Sequence, residues 1–541
     1  MADRSGRLAR LTTPRSEGRS SECGERGARR DLFGAGLYGA RVDLESLLSR
    51  GMFPRELPTA FSSADFASKR GRLNTDSKEK RWRAPAVFNL ARPGDLRRRL
   101  SIPNPFSQVA LARACQDNWA ELQLHFERSS ISLSKPRAQG TGRAIGLSKG
   151  YRTLAAERAS RMTRGKYVVL ADISQFYRSI YTHSIEWALE EKASVKRRIT
   201  SGGASKSLGT LLDSAVRYGQ EGQTKGIPLG PDTSIVLSEI ILTAVDAQLQ
   251  DRIVDAGRFA LRLIDDFECY TRSRGEAEQV LLTWESLLNA FDLDINPSKT
   301  RIVEGPMLPE EPWRARVAQF QLRTASDQVF INDMRSFFTV AFELARNHPT
   351  QPVLSYSIRR IASDCDTQER WSAFGQLLLT AATVEPSCLR SVHDILGWAD
   401  QTSGLDLNKS LIAETLNDLC RFHAPLENGA EVVWSLTILR ALDLIVDSDA
   451  ARAIAKMEDN CSLLLLRDLL DLSLVGGQAL DWDPVVDRAE AAEALDNSDW
   501  LLAYEFIRNG WARSVGIDGS SALEGRFIGR HWILRVVGES W

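Results

Sequence analysis

The sequence has no Cys-x-x-Cys pair, no long apolar run and almost no net charge, -1 over 541 residues. Its seven cysteines (Cys23, Cys115, Cys269, Cys365, Cys388, Cys420, Cys461) lie far apart. That spacing argues against a zinc knuckle and a disulfide framework, and it suits a reducing cytosol. No stretch approaches the roughly 20 apolar residues that span a bilayer. The N-terminus lacks the apolar core of a secretory signal. A cytoplasmic chain with no membrane partner is therefore expected.

The small net charge hides an asymmetry. Residues 1–300 carry 47 Lys and Arg against 35 Asp and Glu, while the remainder carries 22 against 35. A basic half joined to an acidic half suggests that a polyanion meets the first half only. Residues 1–36, rich in Arg, Ser, Gly and Glu, read as a disordered basic tail. From 37 to about 320, short β-like runs alternate with helical patterns, an α+β texture. Tyr167–Asp172 reads as a buried strand, Ser184–Lys192 and Thr233–Ile253 as helices, and Arg258–Ile264 and Phe267–Thr271 as strands around a tight acidic turn. Thr300–Val303 is a further short strand. From 321 to 541 helical patterns follow one another, as over Met334–Asn347, Ala373–Thr383, Val432–Val446 and Cys461–Leu474. They suggest an all-α repeat or bundle without a clean period.

Three acids stand out against this pattern. Asp172 closes an apolar strand, where an unpaired charge is expensive. Asp265 and Asp266 sit between two apolar strands, and two adjacent like charges gain from a bound cation. Taken alone, an Asp-Asp pair is a plain turn. Together, acids on a strand end and a hairpin tip could hold two Mg²⁺ about 3.5–4 Å apart, the arrangement nucleotidyl transfer needs.

The surrounding runs carry a resemblance. Ala171-Asp172-Ile173-Ser174-Gln175-Phe176-Tyr177 resembles motif A of reverse transcriptases, Gly226–Ser234 motif B, Leu263-Ile264-Asp265-Asp266 motif C and Asn296–Thr300 the lysine-bearing motif D region. They occur in family order. Upstream, Arg97–Pro103 followed by Gln108 is similar to the fingers motif of bacterial reverse transcriptases. The resemblance implies palm and fingers over 37–320, followed by an all-α helical-repeat (HEAT-like) or bundle domain. It makes Asp172, Asp265 and Asp266 the catalytic and metal-holding acids, with Ile173 also in the coordination set. It implies that Tyr177 screens the sugar 2′-hydroxyl, and that Arg98, with Arg97 or Arg99, grips the triphosphate. Gly226 and Gly230 would let backbone approach the nucleotide, Pro231 would open the following helix, and Lys299 would protonate pyrophosphate. Core packing competes as an explanation for Tyr177, and a surface role for Lys299. Leu263 replaces the usual aromatic two residues before the Asp pair, and Leu229 replaces a frequent Gln; both bear on processive, faithful copying.

Phe53–Pro58, Leu100–Pro105, Ser132–Pro136 and the Gly-Pro-Asp-Thr-Ser of motif B look like bacterial abortive-infection reverse transcriptases of the AbiA and AbiK type. The acidic helical half is similar to the helical-repeat domain those proteins carry in place of a thumb, and Glu431–Trp434 and Trp500–Glu505 fit it. What this implies is antiphage defence by DNA synthesis from dNTPs, on RNA or DNA or without a template. A companion non-coding RNA and a homo-oligomer are implied as partners. A non-catalytic RNA-binding scaffold and an RNA-dependent RNA polymerase stay open as alternatives, and Tyr177 opposes the second.

Overall fold

The computed structural model describes residues 41–69, 82–94, 96–163, 165–201, 207–253, 259–307, 310–477 and 480–513. The tail expected over 1–36 lies outside them. The described residues belong to one compact unit, Ala40–Trp541. The chain forms the expected α+β part followed by an all-α part.

The α+β part opens with short helices α1 (Leu44–Ser49) and α2 (Ala64–Lys69), then an antiparallel hairpin of β1 (Ala86–Arg92) and β2 (Leu96–Ile102). Asn104 caps the next helix, α3 (Pro105–Asp117), by accepting from the Phe106 amide at 3.1 Å, and Pro105 takes the first turn. Helix α4 (Trp119–Phe126), the small hairpin β3 (Pro136–Ala138) and β4 (Ile145–Leu147), and α5 (Tyr151–Met162) lead to β5 (Tyr167–Ala171). After α6 (Phe176–Ser179), α7 (Ser184–Leu189), α8 (Lys192–Thr200), α9 (Leu208–Tyr218) and α10 (Asp232–Arg252) come β6 (Ala260–Leu263) and β7 (Asp266–Thr271). Helix α11 (Arg274–Asn289) and β8 (Arg301–Glu304) complete a four-stranded antiparallel sheet of order β6-β7-β5-β8.

Period-two alternation assigns the sheet's two faces. Val169, Ala171, Ala260, Phe267 and Cys269 enter the main core, where Phe267 stacks on Trp284 of α11 at 4.6 Å between ring centroids. Val168, Leu261, Leu263 and Tyr270 form a second cluster on the opposite face, with Leu133 and Leu154. Helix α10 is buried on nearly every side.

The all-α part runs through α12 (Pro312–Gln319), α13 (Asp327–Asn347), α14 (Val353–Ile361), α15 (Gln368–Val384), α16 (Leu389–Gln401), α17 (Lys409–His423), α18 (Gly429–Ala441), α19 (Ser448–Ile454), α20 (Asn460–Asp471), α21 (Asp483–Ala489) and α22 (Trp500–Asn509). Helices α13 to α18, and α20, each pack on the second one along, so α13, α15, α17 and α19 make one layer and α14, α16, α18, α20 and α22 another. This is helical-repeat packing. Helices α18 and α20 of the second layer lie against β1. The Trp500 indole donates to the Ile102 carbonyl at 3.2 Å, Asn104 to that of Leu495 at 2.9 Å, and the Ala84 amide to that of Asp496 at 2.8 Å. Among the described residues, no helix is long and apolar enough to cross a membrane.

Three expected helices end early, among them the one expected to reach Leu474, which stops at Asp471 before Ser473 takes a left-handed φ of 61°. The one begun at Ser184 stops at Leu189 because Glu190 turns extended (ψ 149°). The one expected to reach Val446 stops at Ala441, before Asp443 takes a left-handed φ of 54°.

Candidate active site

The antiparallel register sets the three acids side by side. Ala171 of β5 pairs with Phe267 of β7, so the chain leaves β5 at Asp172 directly beside Asp266. Leu263 pairs with Asp266, leaving Ile264 and Asp265 as a two-residue turn. The expected acidic hairpin tip therefore meets the expected strand end.

The electrostatics follow from this crowding. Burial, then the Asp172 charge, pushes the Asp265 carboxyl up; its own backbone bond, Lys299 and Arg98 pull it back. Asp266 is pushed up to about 7, by burial first and then by Asp265 and Asp172. It remains exposed at the tip, so solvent weakens both causes, and the adjacent carboxylates are the one the geometry supports directly.

Asp172 is almost fully buried, and both its carboxylate oxygens are engaged. Lys299 Nζ donates to Oδ2 at 2.7 Å, and Asn296 Nδ2 to Oδ1 at 3.2 Å. The Asn296 amide also donates to the Asp172 carbonyl at 2.7 Å. Lys299 keeps 60% of its side chain exposed, so it can swing away from this pair. The Ile173 side chain is buried in the core and offers no ligand atom; only its main-chain carbonyl can join a coordination set.

Tyr177 follows on α6. Its ring packs edge-on against Phe176 at 5.2 Å, and its carbonyl accepts from the Ile227 amide at 2.8 Å, which joins motif A to motif B. Burial, first, raises the phenol to about 12; a bond from Ser238 opposes the rise, and the Asp265 and Glu239 charges add to it. The side chain is thus both half-buried packing and a neighbour of the acidic turn.

Gly230 and Pro231 are fixed by the protein's own packing and by the start of α10. Gly230 has φ 134°, and a Cβ there would lie 2.6 Å from Pro54 Cγ and 3.2 Å from the Ser101 carbonyl, so protein packing demands the glycine. Pro231 is buried and serves as the N-cap of α10, at the opening of that helix. Behind them Asp232 accepts from Arg143 Nε at 2.8 Å and Nη2 at 2.6 Å, and the Ser101 amide donates to the Leu229 carbonyl at 2.7 Å. This loop is tied to the β1–β2 hairpin.

That hairpin has two faces. Arg98 lies opposite Leu90 in the register and acts electrostatically on Asp265. Arg92, on the same face, feels Asp172 and Asp265, although burial and Arg98 lower its pKa. Arg97 and Arg99 point the other way. Arg97 forms a two-pronged pair with Glu431 of α18, at 2.8 and 2.5 Å. Arg99 lines a cleft of about 710 Å³ with Glu427, Glu458 and Asp499. Of the three consecutive arginines, only Arg98 faces the carboxylates. Arg92 was not picked out in the sequence; its signal is its alternation in phase with Leu90, the partner of Arg98.

The donor set suits Mg²⁺, a hard cation that takes carboxylate and carbonyl oxygens. Among the described residues, no group of three or more His, Cys, Asp or Glu gathers closely enough to hold a metal on such ligands alone. A site of this kind would be completed by water and substrate phosphates.

Residues 93–331 match the family model described as reverse transcriptase (RNA-dependent DNA polymerase). The chain contains a reverse transcriptase domain, and the helices beyond 331 lie outside the match. No curated protein matches the chain. Among solved structures, apo telomerase from Candida tropicalis is 10% identical, with 73% of this chain and 67% of that one covered at a TM-score of 0.30. Telomerase from Candida albicans, in complex with a fragment of telomeric RNA, is 12% identical. There 72% of this chain and 62% of that one are covered, at a TM-score of 0.29. Likeness at this level carries no functional argument.

Proposed function

We propose, with the reverse transcriptase domain over 93–331 as premise, that this chain is a DNA polymerase using dNTPs, with Asp172, Asp265 and Asp266 as its catalytic acids. The observation that carries the reading is the β5–β7 register, which sets Asp172 beside the Asp265–Asp266 turn. Two Mg²⁺, held by these carboxylates and the Ile173 carbonyl, would supply activation of the primer 3′-hydroxyl and neutralisation of the leaving pyrophosphate. The chain's own groups supply the rest. Arg98 and Arg92, on one face of the hairpin, orient the triphosphate against the acids. Tyr177, packed against Phe176, walls off the space a 2′-hydroxyl would need. Lys299, whose Nζ now donates to Asp172, would be the group that gives a proton to pyrophosphate.

The finer reading is abortive-infection defence, with the helical array as the AbiA- and AbiK-type appendage. It rests on the resemblance of Phe53–Pro58, Leu100–Pro105 and Ser132–Pro136 and on the two-layer array that follows. A companion RNA and a homo-oligomer belong to the same reading. Incubating the protein with Mg²⁺ and labelled dNTPs, with and without template and primer, tests the chemistry. Incorporation should vanish when Asp265 and Asp266 both become Ala; undiminished synthesis would refute the site. Phage challenge of cells carrying wild type or that double variant tests the defence role, which requires protection by wild type alone.

A further inference from the structure

The acidic turn is built in an unfavourable backbone conformation. Ile264, its first residue, has φ 58°, a region that glycine, asparagine and aspartate enter readily and a β-branched residue does not. Such a turn persists only where its surroundings over-determine it.

Both polar groups of Ile264 are held. Its amide donates to Ser134 Oγ at 2.9 Å, and its carbonyl accepts from Arg262 Nη1 at 2.8 Å. Arg262 is fully buried and spends all five of its N–H donors. Nε and one Nη2 proton go to Asp246, at 3.0 and 2.7 Å. The other Nη2 proton and one on Nη1 go to Glu239, at 2.9 and 3.1 Å, and the last goes to Ile264. Asp246 and Glu239 lie seven residues apart on one face of α10. They are fixed in turn by Ser129, which donates to Asp246 at 2.7 Å, and Ser132, which donates to Glu239 at 2.6 Å. The segment carrying these serines runs beside β6: the Arg262 amide donates to the Ile131 carbonyl at 2.9 Å, and the Leu133 amide to the Arg262 carbonyl at 2.8 Å.

We infer that Ser134 and Arg262, braced by Glu239 and Asp246, are positioning residues that clamp the strained Ile264 turn and so aim Asp265 and Asp266. The clamp touches neither substrate nor cation; it acts through the backbone of the residue before the carboxylates. The inference rests on the polymerase reading only for its link to catalysis. The bland alternative is a buried ion cluster that merely fills the core, and it predicts no special relation to Ile264.

The experiment is a double-variant cycle on the full chain, read by Mn²⁺ binding (paramagnetic resonance) and, separately, by kcat and KM for dNTP incorporation. Ser134→Ala is a small change that should leave the fold intact, checked by circular dichroism. It should weaken Mn²⁺ binding and lower kcat by about tenfold, the usual scale for groups that orient metal ligands, with KM nearly unchanged. Glycine adopts a positive φ without strain. In an Ile264→Gly background the Ser134→Ala penalty should therefore shrink to less than about twofold. Equal penalties in both backgrounds, or none in either, overturn the clamp. If the cycle appears in Mn²⁺ binding but wild type incorporates no nucleotide, the polymerase reading falls and the clamp stands. Incorporation by wild type that Ser134→Ala leaves untouched has the opposite meaning. Failure of wild type to bind Mn²⁺ overturns both.

Discussion

Truncating Arg97 to Ala would strand a carboxylate. Glu431 keeps only 2% of its side chain exposed, and His423 Nδ1 stands 3.7 Å away. Breaking a buried pair by removing one partner costs about 3–5 kcal/mol, because the remaining charge is left uncompensated. Arg97 retains 28% exposure, so water can enter the vacated space, and the lower end, about 3 kcal/mol, is expected. The loss falls where α18 backs β1, so it should appear as local opening of the hairpin. At tenfold per 1.4 kcal/mol, amide exchange in β1 and β2 should accelerate by about 100-fold. Because Arg98 and Arg92 ride on the same strands, KM for dNTPs should rise as well. Replacing both partners together, Arg97→Met with Glu431→Leu, removes the stranded charge and should restore slow exchange. Hydrogen–deuterium exchange by mass spectrometry reads all three proteins. Unchanged exchange in Arg97→Ala, or a double variant no better than the single, would refute the anchoring argument.

Gly230→Ala forces a Cβ to within 2.6 Å of Pro54 at φ 134° and should cost about 2–4 kcal/mol from strain and overpacking; a melting temperature equal to wild type would contradict that geometry. Asp459, the cap of α20, is raised to about 6 mainly by burial, against bonds from Ser462. The native state thus keeps a proton that the unfolded chain has lost, so stability should fall as pH rises from about 4 to about 6, by at most about 3 kcal/mol. Asp459→Asn should flatten that slope in denaturation at pH 4.5 and 7, and an unaltered slope would exclude Asp459 as its source. Tyr177→Ala should admit NTPs, whereas Tyr177→Phe, which keeps the ring, should keep the preference for dNTPs; competition between labelled dNTP and NTP measures both.

The acids and their strands were legible because each lies at the end of a short apolar run and the surrounding runs occur in reverse transcriptase motif order; an Asp-Asp pair alone would have read as a plain turn. The hairpin turn was legible for the same reason. Arg262 was not, since one arginine within Phe-Ala-Leu-Arg-Leu-Ile looks like the exposed phase of a half-buried strand. The available signal was in α10, where Glu239 and Asp246, the only charged residues between Asp232 and Asp251, repeat at seven residues. Two acids on one buried face require a buried cation. The helical layers resisted reading because their members run from 7 residues in α19 to 21 in α13, so the packing repeats while the sequence period does not. Helix ends failed where a single residue, such as Asp443, left the helical region.

The charge asymmetry has a partly internal explanation. Arg97 and Arg83, on or beside the hairpin, meet Glu431 and Asp496 of the acidic half, so some of the basic surplus is neutralised within the chain. A two-stranded hairpin is at best marginally stable by itself, and here its back is covered by α18, α20 and the Trp500–Ile102 bond. The opposite face, with Arg92 and Arg98, is left toward the carboxylates. Alternation along β2 thus divides three consecutive arginines into two tasks: the central one is available to a triphosphate, and Arg97 spends its charge holding the strand in place. A polyanion that entered the site would compete for the first task only, which is why screening by salt should weaken nucleotide binding more than it loosens the buried Arg97–Glu431 pair.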